Sequence, residues 1–118
     1  MANNLHVLEA GLTLWSTAAG TKPIEFPVDT AGRRIDILAK DADGVPVVIE
    51  LKVSRGHERT IGQALYYRGQ VKAMFEAASP RIMIVAREIS SELSTAATDI
   101  PSISLHEYRL SLTVNRVR

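Results

Sequence analysis

The sequence contains no cysteine. This excludes disulfides, thiolate zinc sites and cysteine nucleophiles, and it fits a reducing cytosol, so a cytoplasmic location is expected. Aromatic residues are scarce, at 5% with a single Trp, which leaves no aromatic-rich platform for stacking bases. Neither sign of charge dominates: 14 basic residues face 13 acidic ones. With no strong overall field, any contact with nucleic acid must rest on local patches. No apolar run approaches the ~18 residues that a membrane-spanning helix needs. The opening "MANNLHVLEAGLTLW" lacks a basic leader region and carries Glu9 inside its apolar pattern, so it does not read as a signal peptide. Repeats, low-complexity tracts and linkers are absent. The 118 residues, 46% of them hydrophobic, are therefore expected to form one domain spanning 1–118.

What is present reads as alternating elements. Asn3 or Asn4 is placed to cap a first helix running to about Ala18, with Leu5, Leu8, Leu12 and Trp15 at helical spacing. Short strands are predicted at "IEFPV" and "RRIDILAK", the latter with Ile35, Ile37 and Ala39 on one face. "DADG" is a turn signal, so "RRIDILAK" and "VPVVIELKV" are predicted to form a hairpin. A long helix from about Glu58 to Ala78 presents Ile61, Ala64, Leu65, Val71, Phe75 and Ala78 on one face. "RIMIVA" reads as a strand, "REISSELSTAATD" as a weaker helix, and "SISLHEY" and "RLSLTVNRV" as two terminal strands. The order α–β–β–β–α–β–α–β–β is a mixed α/β arrangement, a sheet flanked by helices.

The chemistry concentrates in "VVIELKVS", residues 47–54. Charges inside an apolar strand cost free energy unless they are paired, metal-bound or solvated. Strand alternation puts Glu50 and Lys52 on one face, and a hairpin turning at "DADG" brings Asp36 to the neighbouring strand on that side. Two adjacent carboxylates repel, and a divalent cation resolves the conflict; oxygen ligands suit Mg²⁺ or Mn²⁺. Lys52 beside such an ion would favour hydroxide and stabilise charge on a phosphate. The set therefore points to metal-dependent phosphodiester hydrolysis. An exposed ion pair of Glu50 and Lys52, with Asp36 another solvated charge, is the ordinary alternative. His6 and His106 have no partner at metal-ligand spacing, and His57, in the loop after the motif, reads as a solvated loop residue.

The stretch "RRIDILAKDADGVPVVIELKVSRGHERTIGQALYYRGQVK" resembles the PD-(D/E)xK nuclease superfamily. It is similar to the branch containing the NucS endonucleases and the RecB-type nuclease domains. The resemblance is carried by Ile-Asp-Ile-Leu, Val-Ile-Glu-Leu-Lys and Gly-Gln-Ala-Leu-Tyr-Tyr in combination, and covers residues 24 to 75. It implies a restriction-endonuclease-like αβββαβ core and hydrolysis of DNA, more than RNA, by a metal-activated water. Asp36 and Glu50, joined by the backbone carbonyl of Leu51, would bind Mg²⁺ or Mn²⁺, and Glu9 of the first helix would be a further ligand. Lys52 would be the catalytic lysine. Gln63 would orient the lysine or the scissile phosphate, and Tyr67 would match the aromatic that follows it. Arg33, Arg34, Arg55 and Arg59, with Tyr67, are the residues expected at the DNA. A module that keeps this fold but only binds nucleic acid or assembles is the other reading. A homodimer through the terminal strands is expected to enlarge the DNA footprint.

Overall fold

In the computed structural model of the chain, residues 2–16, 21–109 and 114–117 are described. A 3₁₀ helix, Ala2–Val7, is followed by β1 (Thr13–Leu14), β2 (Ile24–Pro27), β3 (Arg34–Lys40) and β4 (Pro46–Gly56). Then come α1 (Arg59–Met74), β5 (Arg81–Ile89), α2 (Ser91–Ala97) and β6 (Ile103–Glu107). Among the described residues the strands form one six-stranded mixed sheet, in the order β1-β3-β4-β5-β6, with β2 also paired to β3. β3 and β4 are the predicted hairpin, antiparallel with Ile37 opposite Ile49 and Lys40 opposite Pro46. Asp41 Oδ1 accepts the Asp43 and Val45 amides at 2.9 Å. Gly44 takes the positive φ of +81° that closes the turn.

β4 is flanked on its other side by β5 in parallel, and β5 by β6 in parallel. Parallel neighbours require crossovers, and α1 and α2 supply them. The central position explains the composition of β4: Val47, Val48 and Ile49 are all fully buried, since both faces of the sheet are covered. Phe26, Ile35, Leu38, Val48 and Ile84 pack with Ile61, Ala64, Tyr67 and Val71 of α1 and with Leu93 and Ala97 of α2. On the opposite face Ile37, Ala39, Val47, Ile49, Met83 and Val85 pack with Leu5 and Leu12. Ile35 and Ile37 therefore belong to different cores rather than one face, so strict alternation fails at Asp36.

The first helix is a correction. Leu5, Leu8 and Leu12 do turn to the core, but the chain forms only the short 3₁₀ helix, kinked at Asn4. Gly11 then takes a φ of +85°, with a Cβ at that position only 2.8 Å from the Ala42 side chain. That reversal feeds β1, which pairs Thr13 with Lys40 and Leu14 with Ala39. In α1 the buried stripe is Thr60, Ile61, Ala64, Tyr67 and Val71, while Leu65 is off it and exposed. β5 continues through Arg87–Ile89, and α2 starts only where the Ser90 hydroxyl accepts the Leu93 amide at 3.0 Å. Of the second terminal strand expected at 109–117, residues 110–113 lie outside the described residues, and 114–117 are not in a strand. No helix among the described residues is long and apolar enough to cross a membrane.

Candidate active site

The β3–β4 ladder stops at Ile37 and Ile49. One further step in this register would put Asp36 opposite Glu50. At that point the strands part, and the Asp36 carboxylate replaces a backbone partner: its Oδ2 accepts the Leu51 amide at 2.8 Å. Asp36 is half-buried. Glu50 is buried, with 2% of its surface exposed. Its Oε1 is a buried side-chain oxygen with no hydrogen-bond partner among the described residues.

An unpartnered buried oxygen is costly. Burial pushes the Glu50 carboxyl up to about 7, and the adjacent Asp36 adds to the rise; Lys52 and the Asp36 backbone amide oppose it. Lys52 is half-buried, and its carbonyl accepts the Tyr108 hydroxyl at 3.4 Å. β4 loses its register with β5 between Lys52 and Arg55, and Val53 in that irregular stretch is 87% exposed. Pairing resumes with Arg55 opposite Glu88, so a bulge interrupts β4 just after Lys52.

α1 forms the wall. Gln63 Nε2 donates to the Tyr67 hydroxyl at 3.0 Å. Tyr67 is buried, and burial followed by the Glu50 charge raises its phenol above the usual range, with Asp36 contributing further. Asp36, Glu50, Lys52, Gln63 and Tyr67 thus come to one end of the sheet, as the hairpin and helix spacing suggested. Tyr67 does so as a wall residue, too buried to stack on DNA, which corrects its expected role as a nucleic-acid contact.

Glu9 is not brought to this group. Arg81 binds its carboxylate through two bonds, at 2.6 and 2.8 Å, and also bonds Asp41 at 3.1 Å. The Arg81 hydrogen bond holds the Glu9 carboxyl below its ordinary range. Arg81 lies opposite Val47, three register steps before Glu50, so the missing helix leaves Glu9 at the far end of β4. Among the described residues no group of three or more His, Asp or Glu side chains forms a metal cluster. The side-chain oxygens that come together here are those of Asp36 and Glu50. That set fits a hard cation such as Mg²⁺, which takes one or two carboxylates and keeps several waters.

The arginines divide. Arg33 is exposed, ion-paired to Asp29 at 3.0 Å and placed over the Tyr66 ring at 5.4 Å. Arg34 donates to the Glu25 carbonyl at 3.2 Å. Arg55 pairs loosely with Glu88 at 3.7 Å, and Arg59 opens α1 at the surface. Asp29 and Tyr66, which organise Arg33, gave no signal in the sequence beyond the turn-forming "DTAG".

No protein-family model and no curated protein matches the chain. Solved structures do. A repair endonuclease from Pyrococcus abyssi superposes with a TM-score of 0.73 at 20% identity, over 90% of this chain and 42% of the other. The chain shares the fold of this repair endonuclease. EndoMS in a double-stranded DNA complex matches with a TM-score of 0.74 at 20% identity, over 95% of this chain and 42% of the other. EndoMS in apo form matches over 63% of this chain with a TM-score of 0.55 at 22% identity. The chain therefore spans about two-fifths of the length of the first two structures.

Proposed function

We propose that this chain is a metal-dependent nuclease domain that hydrolyses phosphodiester bonds of DNA. The observation that carries the reading is the buried, unpartnered Glu50 oxygen beside Asp36, just past the end of the β3–β4 ladder, in a fold shared with repair endonucleases. A carboxyl driven up to about 7 by burial and by a like charge lacks only a cation. Mg²⁺ or Mn²⁺ would be held by Asp36, Glu50 and the Leu51 carbonyl. When bound, the cation would activate a water and offset charge on the phosphate.

The protein's own groups do the rest. Lys52, on the face of Glu50, would donate to a non-bridging phosphate oxygen and stabilise the charge that develops there. Gln63 gives its amide N–H to Tyr67, which fixes the side chain and leaves its amide oxygen to orient Lys52 or the incoming water. Hydrolysis places the hydroxyl on phosphorus and the proton on the leaving oxygen. Endonucleolytic cleavage is the mode this reading takes from the repair endonucleases that share the fold.

Labelled duplex, flap, mismatched and single-stranded DNA incubated with Mg²⁺, Mn²⁺ or EDTA test the reading. Cleavage by the wild type that needs a divalent ion, and its loss in Glu50→Gln, are expected. Undiminished cleavage in excess EDTA would overturn it.

A further inference from the structure

One cluster next to the site remains unused by this chemistry. Asp29, in the turn between β2 and β3, accepts four hydrogen bonds. Its Oδ1 takes the Ala31 and Arg33 amides at 3.0 and 3.1 Å. Its Oδ2 takes the Arg33 guanidinium at 3.0 Å and the Tyr66 hydroxyl, from α1, at 2.8 Å. Burial acts to raise the Asp29 carboxyl, yet the Tyr66 and Arg33 hydrogen bonds win and hold it at about 2. Gln70 ties the same turn to α1 by donating to the Val28 carbonyl at 2.9 Å. The Arg33 guanidinium is therefore gripped from two sides, by a carboxylate and by the face of an aromatic ring. Its side chain is nonetheless 57% exposed. A flexible surface arginine loses rotamer freedom on binding, and one already held loses less.

The cluster adjoins the carboxylates. Arg33 is three residues before Asp36 on the same run, about 10 Å at strand rise. Tyr66 adjoins Tyr67, whose phenol feels the charges of Glu50, Asp36 and Arg33 alike. The geometry points to Arg33 as a preset anchor for a DNA phosphate flanking the scissile one, with Tyr66 and Asp29 as positioning residues that act through it. Arg34 and Arg55 do not share this arrangement: one reaches a backbone carbonyl and the other a loosely held glutamate. The inference rests on the nuclease reading for the position of the scissile bond, but the phosphate contact is measurable without cleavage.

The test is the affinity of the whole chain for a labelled DNA duplex in EDTA, measured across a KCl series for wild type, Arg33→Ala, Tyr66→Ala, Tyr66→Phe and the double variant Arg33→Ala/Tyr66→Ala. Loss of one phosphate contact should weaken binding about tenfold and reduce the slope of log affinity against log salt by about 0.9. Tyr66→Ala should weaken binding several-fold, with Tyr66→Phe recovering part of it because the ring remains. The double variant should be no weaker than Arg33→Ala, since Tyr66 acts only through the arginine. In cleavage assays the same variants should raise KM more than they lower kcat. An unchanged salt slope in Arg33→Ala, or no wild-type binding in EDTA, overturns the anchor. Additive losses in the double variant overturn the positioning role and make Tyr66 a DNA contact itself. DNA binding that loses slope in Arg33→Ala, without cleavage under any divalent ion, upholds the anchor and refutes the nuclease reading.

Discussion

Replacing Glu50 by glutamine should make the metal-free protein more stable, and increasingly so as pH rises. Glutamine keeps the side-chain shape and removes the charge that the site cannot accommodate. The folded Glu50 titrates at about 7 against an ordinary 4.5. At ~1.4 kcal/mol per pKa unit, the charged form therefore costs the fold about 3 kcal/mol. Because Glu50 is 2% exposed, solvent screening does not reduce that figure as it would at a surface. The sign follows from proton binding. Between 4.5 and about 7 the folded protein holds a proton that the unfolded chain has released, so the Glu50 contribution to wild-type stability is greatest below 4.5 and is lost as pH rises through about 7. Urea unfolding in EDTA at pH 5, 6, 7 and 8 measures both proteins. Glu9, Asp29 and Asp41, whose carboxyls are held low, lose stability in the opposite sense, as pH falls, but equally in both chains. The difference between the two curves isolates Glu50. It should be small at pH 5 and approach about 3 kcal/mol at pH 8. Saturating Mg²⁺ should close the gap in the wild type and leave Glu50→Gln unmoved. A difference independent of pH, or a variant less stable throughout, would refute the account of Glu50 as a carboxylate waiting for a cation.

Lys52→Ala should keep cation affinity, read by calorimetry, and lose about two to four decades of turnover; a loss confined to DNA affinity would make Lys52 a phosphate anchor instead. Glu9→Gln should leave cation affinity at the wild-type value, since its carboxylate belongs to Arg81, and should cost up to about 1 kcal/mol of stability in urea titrations; a large loss of cation binding would return Glu9 to the site. The outer edge of β6, which carries Ile103 and Leu105, ends the sheet among the described residues, and edge pairing there is expected to give a two-fold dimer. Light scattering at micromolar protein checks this, and a monomer mass with full activity would exclude it.

The hairpin and its charges were legible because every signal there is local. "DADG" supplies its own turn-forming Asp and Gly, alternation along β4 puts Glu50 and Lys52 on one face, and Glu50 is conspicuous only because it interrupts an apolar run. The long helix was equally local, but its buried face was not. Leu65 is the more apolar residue, yet Tyr67 takes the interior because it shares one helical stripe with Ile61, Ala64 and Val71. Hydrophobicity alone could not rank those two positions, because the phase of the helix against the sheet decided them.

The N-terminal segment shows a different limit. Leu5, Leu8 and Leu12 at helical spacing are also what a short, irregular cover over a sheet requires, since both must present several apolar side chains to one surface. Gly11 was the available hint, because a positive φ ends a helix and permits the close approach to Ala42. The fate of Glu9 depended on Arg81, far along the chain, and no local pattern announces a partner so distant. The same holds for Asp29 and Tyr66, joined across the loop and α1. Asp36 and Glu50, by contrast, lie on adjacent strands joined by one short turn, so covalent proximity did the work that tertiary packing does elsewhere. What the sequence disclosed of the site is therefore what one hairpin and one turn of helix build, and what it concealed is what side chains of distant elements hold together.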